Sequence, residues 1–406
     1  MRISVVRPSE LGATEISAWH VMQERSQELG NPFLSPEFAL AIGNSREDAR
    51  ADDVRVAVLA DGSGPVGFFP FQRGRLGVGR PVGAGLTDCQ GLVHLPGAQW
   101  DAAELLKDCG ISVWHFDHLV GGQQPFARYQ VASAASPVID LSDGLAAYEE
   151  RVLARQTHFR RELRRKTRKL EQEVGPIKFA VGSSDPDDLS TLMRWKSGQY
   201  QRTGRADIFG QPWVVGAAER LHACRQNGFS GLLATLRAGD RPVAAAMVLE
   251  HGGVVAGWFC AYDIEFARFS PGMMLHVRLT EAAAERGARL IELGKGAMDY
   301  KELLKSYDLT VGEGMVTSRS ALAAVHRARL APPRWAMRQI RAHRPAFIVA
   351  DRVLKQYGKL KVALDGRRLS WCYAGMGRSP ARSGGPRVAR AARVARAAQA
   401  PRAGRT

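Results

Sequence analysis

Cysteine is scarce and scattered. The five in 406 residues (Cys89, Cys109, Cys224, Cys260 and Cys372) are odd in number and include no Cys-x-x-Cys pair. That excludes a disulfide framework and a thiolate metal cage, and it predicts reduced thiols in a cytosolic protein with no metal. Long apolar runs are missing too. The best candidate, residues 242–262, is broken by Glu250, His251, Gly252 and Gly253, so nothing reaches the ~18 residues of a membrane helix. The first eight residues lack the apolar stretch of a signal peptide, and a soluble, non-secreted chain is expected. Glycine and proline total 62 residues, too few for a collagenous or low-complexity body. Acid is absent from one region: residues 366–406 hold ten Arg and no Asp or Glu. Of the net +17, the rest of the chain therefore carries 47 Lys and Arg against 40 acids, or +7. A nucleophile triad is missing as well, since His222 and Cys224 stand two apart on a predicted helix and do not face each other.

What is present reads as α+β, repeated twice in outline. Residues 1–145 open with a strand (3–6) and a helix (15–29), followed by Asn31-Pro-Phe33 and by Ser35, which can cap a helix beginning at Pro36. Strands 54–60 and 65–71 flank Asp61-Gly-Ser-Gly64, a hairpin by turn chemistry. Gly77, Gly79 and Gly83 have one residue too many for a dinucleotide fingerprint, and no helix pattern follows. A strand at 91–95, a helix at 101–109, a strand at 112–119 and an apolar run at 138–141 close this part. Residues 146–320 begin with a charged helix (149–175) that stops at Gly175-Pro176. A strand (177–181), helices from Pro186 and Pro212, and strands 230–238, 243–250 and 254–262 follow. Turns at Asp240-Arg-Pro242 and His251-Gly-Gly253 make the last three strands an antiparallel meander. Helix 273–286, strand 289–293 and a loop over 294–301 complete it. Residues 321–365 read as a helical extension. Residues 366–406 read as a disordered basic tail whose Arg spacing suits nucleic acid or anionic lipid, including the inner face of a membrane; a solvated tail is the alternative.

One junction has a chemical use. Strand 254–262 leads through Ser270-Pro271-Gly272 into a helix, and the free amides and dipole of a helix start attract phosphate. Gly272 permits close backbone approach, and Pro271 gives up no useful donor. The alternative is a plain Pro-Gly helix entry. Arg161, Arg164, Arg165 and Arg168 recur at three and four residues on the charged helix, gathering guanidiniums on one face beside Glu162 and Glu171.

The run Asp263-Ile-Glu-Phe-Ala-Arg-Phe-Ser-Pro-Gly-Met-Met-Leu275, with Ile291-Glu-Leu-Gly-Lys-Gly-Ala-Met-Asp-Tyr-Lys301, resembles the signatures of the CelD-type branch of the GNAT superfamily, related to the Fem-type aminoacyl transferases. The basic helix from Arg160, Asn31-Pro-Phe33, Val66-Gly-Phe-Phe-Pro-Phe71 and Leu86-Thr-Asp-Cys-Gln-Gly91 resemble its other landmarks, so the likeness spans residues 15–320. Glu292-Leu293 departs from a more usual Asp-Phe, keeping the carboxylate.

The resemblance implies two tandem GNAT-like domains with mixed, largely antiparallel sheets, 1–145 and 146–320, the second holding the acyl donor. It implies acyl-CoA, acetyl-CoA first, as co-substrate, with direct attack on the thioester and no covalent enzyme intermediate. Ser270, Pro271, Gly272, Met273, Met274 and Gly296 would hold the coenzyme. The candidate catalytic groups are Asp263 (base, or a turn-forming residue), Glu292 (base, or a partner for Lys301), Tyr300 (proton donor to the thiolate, or a packed ring) and Lys301. Arg161, Arg165 and Asp299 are candidates for substrate contacts. The expected acceptor is a small molecule or glycan precursor, namely a sugar, glycolipid or amino-sugar precursor of exopolysaccharide or cell envelope. The alternatives are Fem-type aminoacyl transfer from tRNA and a non-catalytic subunit of a polysaccharide-synthesis assembly.

Overall fold

The computed structural model describes residues 1–48, 53–296 and 298–318. The helical extension and the basic tail expected beyond residue 320 lie outside the described residues. Among the described residues fourteen strands form one sheet: β1 (Arg2–Val6), β2 (Asp53–Asp61), β3 (Gly64–Arg73), β4 (Val78–Pro81), β5 (Val93–His94), β6 (Val113–Leu119), β7 (Gln130–Asp140), β8 (Ile177–Val181), β9 (Arg225–Gln226), β10 (Phe229–Ala238), β11 (Arg241–His251), β12 (Val254–Tyr262), β13 (Leu290–Glu292) and β14 (Tyr307–Thr317). The helices are α1 (Ala13–Glu24), α2 (Pro36–Asp48), α3 (Ala102–Asp108), α4 (Gln124–Ala127), α5 (Gly144–Arg151), α6 (Thr157–Glu173), α7 (Pro186–Thr203), α8 (Pro212–Ala223), α9 (Pro271–Glu285) and α10 (Asp299–Leu304).

Local chemistry sets most of these boundaries. The Asp185 carboxylate accepts from the Asp187 amide, Pro186 opens α7, and Gly204 in the left-handed region closes it. The Asp61 carboxylate accepts from the Ser63 amide at 2.7 Å to shape the β2–β3 turn. Gly252 and Gly253, both at positive φ, turn β11 into β12, and β10–β11–β12 form the expected meander.

The path through the sheet is β1-β2-β3-β4-β6-β14-β7-β13-β12-β11-β10-β8. The halves repeat: an antiparallel meander reaches one parallel pair, β4 with β6 in the first half and β12 with β13 in the second. The strand that closes each half comes from the other. β7, which follows β6 in the chain, pairs with β13, whereas β14, which follows β13, pairs with β6; β7 and β14 pair with each other in the middle.

Three readings need correction. Residues 149–175 are not one helix: α5 and α6 are separated by a 3-10 turn at Leu153–Arg155 and by Gln156 at non-helical φ/ψ. Tyr300 and Lys301 lie on α10 rather than in a loop. β14 was not expected at all. Its Gly312 and Gly314 weaken the strand signal, yet a Cβ at Gly314 would collide with the Tyr129 carbonyl and the Phe116 ring.

The second half buries both faces of its meander. Ala245, Met247 and Leu249 of β11 pack with α7 and α8, while Ala244, Ala246 and Val248 pack with α9. Strand alternation thus places α7 and α9 on opposite faces of the sheet.

Candidate active site

β12 and β13 pair only from Val254↔Leu290 to Ala256↔Glu292. Beyond that point β12 carries a bulge. Met247 opposes Phe259 and Val248 opposes Gly257, leaving Trp258 as the extra residue. A bulge bends and twists its strand, and Gly294 at φ 77 turns the other strand away. Between them opens a cavity of about 600 Å³. Ser270, Gly272, Met273 and His276 line it from α9 and its cap, whereas Lys196, Gln199 and Tyr200 line it from α7, so it passes through the sheet from one face to the other.

At the α9 end, Ser270 is a non-glycine residue in the left-handed region (φ 59, ψ 50). Its carbonyl accepts from the amides of both Met273 (3.0 Å) and Met274 (3.3 Å). Of the first-turn amides, that of Gly272 alone has no acceptor among the described residues. The diphosphate site expected from Ser270, Pro271, Gly272, Met273 and Met274 is therefore narrower: Pro271 and Met274 are buried, and Met274 packs into the core on the α9 face. A cation reinforces it, as Lys166 of α6 donates its Nζ to Ser270 Oγ at 2.9 Å.

At the centre, Lys301 is buried, and its Nζ donates to the carbonyls of Gly294 (2.7 Å) and Lys295 (3.2 Å), fixing the loop into α10. Burial lowers its pKa. The Tyr300 ring stacks on His276 at 4.8 Å. Burial pushes the Tyr300 phenol well above its usual range and drops His276 to about 4, so His276 stands neutral beside a protonated phenol.

Of the carboxylates expected from the sequence, Asp263, Glu292 and Asp299 do not line the cavity. Asp263 caps the turn Ile264–Phe269, accepting from the Glu265 amide at 3.0 Å. Asp299 is exposed at the start of α10, and Gly296 is exposed in the preceding loop. Glu292 alternates with Ile291 and Leu293, which do line the cavity. Burial raises its pKa, the Asn31 side chain opposes that, and the charge of Asp88 adds to it. The carboxylate in the cavity wall is Asp88, which sequence reasoning passed over. It retains 42 % of its side-chain surface and lines the cavity. Burial raises its pKa, against the pull of His118 and Lys301. His118 Nε2 stands 3.4 Å from Asp88 Oδ1, and its Nδ1 is 2.9 Å from Asp117 Oδ1. The one signal was position, because Asp88 lies within Leu86-Thr-Asp-Cys-Gln-Gly91. Trp258 ties this first-half loop to the bulge, donating to the Leu86 carbonyl at 2.8 Å.

Arg161 and Arg165 are elsewhere. With Arg160, Arg164, Arg168 and Lys169 they line an open groove of about 790 Å³ on the outer side of α6. This wider trough is rimmed by exposed guanidiniums, and only Arg165 is held by a carboxylate there, that of Glu162 at 2.7 Å, among the described residues.

Residues 157–302, from the first residue of α6 into α10, match the family model of the acetyltransferase (GNAT) domain. This stretch is an acyltransferase domain. The solved structure of FemX is similar in fold at 10 % identity, covering 78 % of this chain and 96 % of that one with a TM-score of 0.50. Two further solved structures align with lower scores. The C-terminal domain of a putative lysylphosphatidylglycerol synthetase from Agrobacterium fabrum aligns at 14 % identity (77 % of this chain, 93 % of that one, TM-score 0.47). A tandem GNAT protein from the clavulanic acid biosynthesis pathway aligns at 11 % (79 % and 100 %, TM-score 0.43). No curated protein sequence matches the chain. The repeated topology of the two halves and the match to the GNAT domain make the fold α+β with GNAT-like halves in tandem. Among the described residues no helix is long and apolar enough to cross a membrane.

Proposed function

We propose that the chain is an acyl-CoA-dependent acyltransferase, acetyl-CoA being the first donor to test, acting on a sugar, glycolipid or amino-sugar precursor of exopolysaccharide or cell envelope. The observation that carries this reading is the cavity through the sheet, with an unspent helix-start amide at one end and a carboxylate at its centre. Coenzyme A fits the α9 end: Gly272 N–H and Lys166 Nζ would hold its diphosphate, and Ser270 would be released from Lys166 as they do. The coenzyme supplies a thioester. The chain supplies the rest. Asp88, ionised and backed by His118, takes the proton of the attacking amine or hydroxyl. Tyr300, protonated because its phenolate is disfavoured by burial, gives a proton to the departing sulfur. Lys301 keeps the Gly294–Lys295 carbonyls turned inward and so holds the loop in its inward shape.

The exposed guanidiniums of α6 favour a second reading, aminoacyl transfer from tRNA in the Fem manner. Salt-dependent retention of tRNA, lost when Arg161, Arg164 and Arg168 are changed to Gln, would support it.

The test is a thermal-shift titration with acetyl-CoA, longer acyl-CoAs and free coenzyme A. A ligand at 100 times its Kd stabilises by about 2.7 kcal/mol. Gly272→Trp, whose Cβ starts 3.4 Å from the Tyr262 ring and whose indole must enter the cavity, is expected to abolish the shift. An equal shift in wild type and variant would refute the placement of the donor.

A further inference from the structure

The α7 end of the cavity differs in charge from the α9 end and takes no part in holding the coenzyme in the reading above. Lys196 is half-buried there. Its Nζ donates to the Cys260 carbonyl at 3.1 Å and lies 5.5 Å from the Tyr200 ring centre, with no carboxylate in salt-bridge range among the described residues. Arg205 lines the same cavity two residues past the end of α7, placed by Gly204 in the left-handed region, and it too has no carboxylate partner among the described residues. The nearby acid is spent elsewhere, since Asp207 accepts from Ser197 Oγ and from the Phe209 amide. Gln199, between the two cations in sequence, has a buried Oε1 with no hydrogen-bond donor among the described residues.

Two of these features carry a cost. Two like charges sharing a wall repel, and burial together with Arg205 lowers the pKa of Lys196. A buried acceptor without a donor forfeits the hydrogen bond it had to water. A helix C-terminus by itself favours Arg205, but not Lys196, which lies two turns back. An anion bearing a hydrogen-bond donor would settle all three groups at once, with Asp88 in the same cavity to take the proton of its nucleophile.

We infer that Lys196, Arg205 and Gln199 form the acceptor subsite, and that the acceptor is anionic: an amine or alcohol that also carries a phosphate or a carboxylate. The inference rests on the acyltransfer reading and deepens it, because it names the class of acceptor.

The experiment uses the full chain saturated with acetyl-CoA, so that the donor end is filled. Inorganic phosphate and acetate are titrated by thermal shift. Saturable stabilisation by at least one of them is expected, with affinity about tenfold weaker in Lys196→Gln and Arg205→Gln. Coenzyme release is then measured with matched acceptors, glucosamine against glucosamine 6-phosphate for phosphate and glucosamine against muramic acid for carboxylate. The charged member of one pair is expected to show at least about tenfold higher kcat/KM. Arg205→Gln should erase that preference, leaving the KM for acetyl-CoA unchanged. Anion binding that is absent, that competes with acetyl-CoA, or that survives both substitutions overturns the inference, as does equal or better turnover of glucosamine, which lacks the anionic group. If no pair reacts, the anion titration decides alone. Failure of acetyl-CoA to bind at all sinks the donor reading instead, so the two failures are distinguishable.

Discussion

Gly294→Ala links the shape of the cavity to its chemistry. Gly294 has φ 77, where a side chain costs about 1–2 kcal/mol. A Cβ built there falls on Asp88 Oδ2, inside any allowed contact, and 3.2 Å from Asp88 Cγ. The loop cannot easily retreat, because the Gly294 carbonyl is held by Lys301 Nζ at 2.7 Å. If Asp88 also stays, overpacking adds about 1–3 kcal/mol. The open side of Asp88 is the cavity, so the cheaper response is for its carboxylate to swing away from His118. The strain then remains in stability and the rest of the penalty moves into catalysis. Urea unfolding followed by tryptophan fluorescence should show a loss of about 1–2 kcal/mol, and acetyl-CoA turnover should fall at least about tenfold. Gly296→Ala is the control. At φ 105 with open space around its Cβ, it should lose stability without touching Asp88. Equal activities in the two variants would refute the argument.

Asp88→Asn should lower kcat by about 10²–10⁴-fold. Because burial raises the Asp88 pKa, wild-type rate should climb with pH through a value above the usual aspartate range, and the variant should lack that limb. The stability sign is opposite: a carboxyl with a raised folded pKa contributes stability that is full below its unfolded pKa and lost as pH rises through the folded one. Asp88→Asn should therefore be at least as stable as wild type at pH 8, by urea midpoint, even as it loses activity. Tyr300→Phe keeps the ring stacked on His276 and removes only the hydroxyl, so it should reduce kcat while leaving the KM for acetyl-CoA and the melting temperature near wild type. A raised KM with unchanged kcat would assign Tyr300 to binding.

Elements with local signals were legible in the sequence. The β10–β11–β12 meander announces itself through Asp240 and Gly252-Gly253, and the entry into α9 through Pro271-Gly272. What could not be read was anything settled by distant partners. β14 looks unlike a strand because Gly312 makes room for the Gln130 side chain and Gly314 for Tyr129 and Phe116, residues nearly two hundred positions earlier. The same holds for the site. Ser270, Gly272, Met273, Tyr300 and Lys301 sit on motif elements and meet in one cavity, but Asp88 reaches it from the first half through a loop that no periodicity marks. Lys196, Gln199 and Arg205 lie on an ordinary amphipathic helix and its cap, where only the position of the bulge in β12 reveals which face they present.

The exchange of β7 and β14 gives the tandem arrangement a physical necessity that can be tested by cutting the chain. β13 has three residues, and its register ends at Ile291↔Ile139 and Glu292↔Val138 on β7. A fragment of residues 146–320 would retain β13 and β14 but lose β7, the strand that joins them. β13 would then present an open edge beside the cavity, and β14 would lose its partners on both sides, β6 and β7. Trp258 would lose the Leu86 carbonyl, Glu292 its Asn31 neighbour, and the cavity its only first-half carboxylate among the described residues. The fragment is expected to be insoluble, or soluble without a cooperative unfolding transition, and not to bind acetyl-CoA. Adding residues 1–145 as a separate chain during refolding should restore both properties, since each piece carries the closing strand of the other. A fragment that alone unfolds cooperatively and binds acetyl-CoA as the full chain does would show that the exchanged strands are an accident of connectivity and that the donor half is self-sufficient.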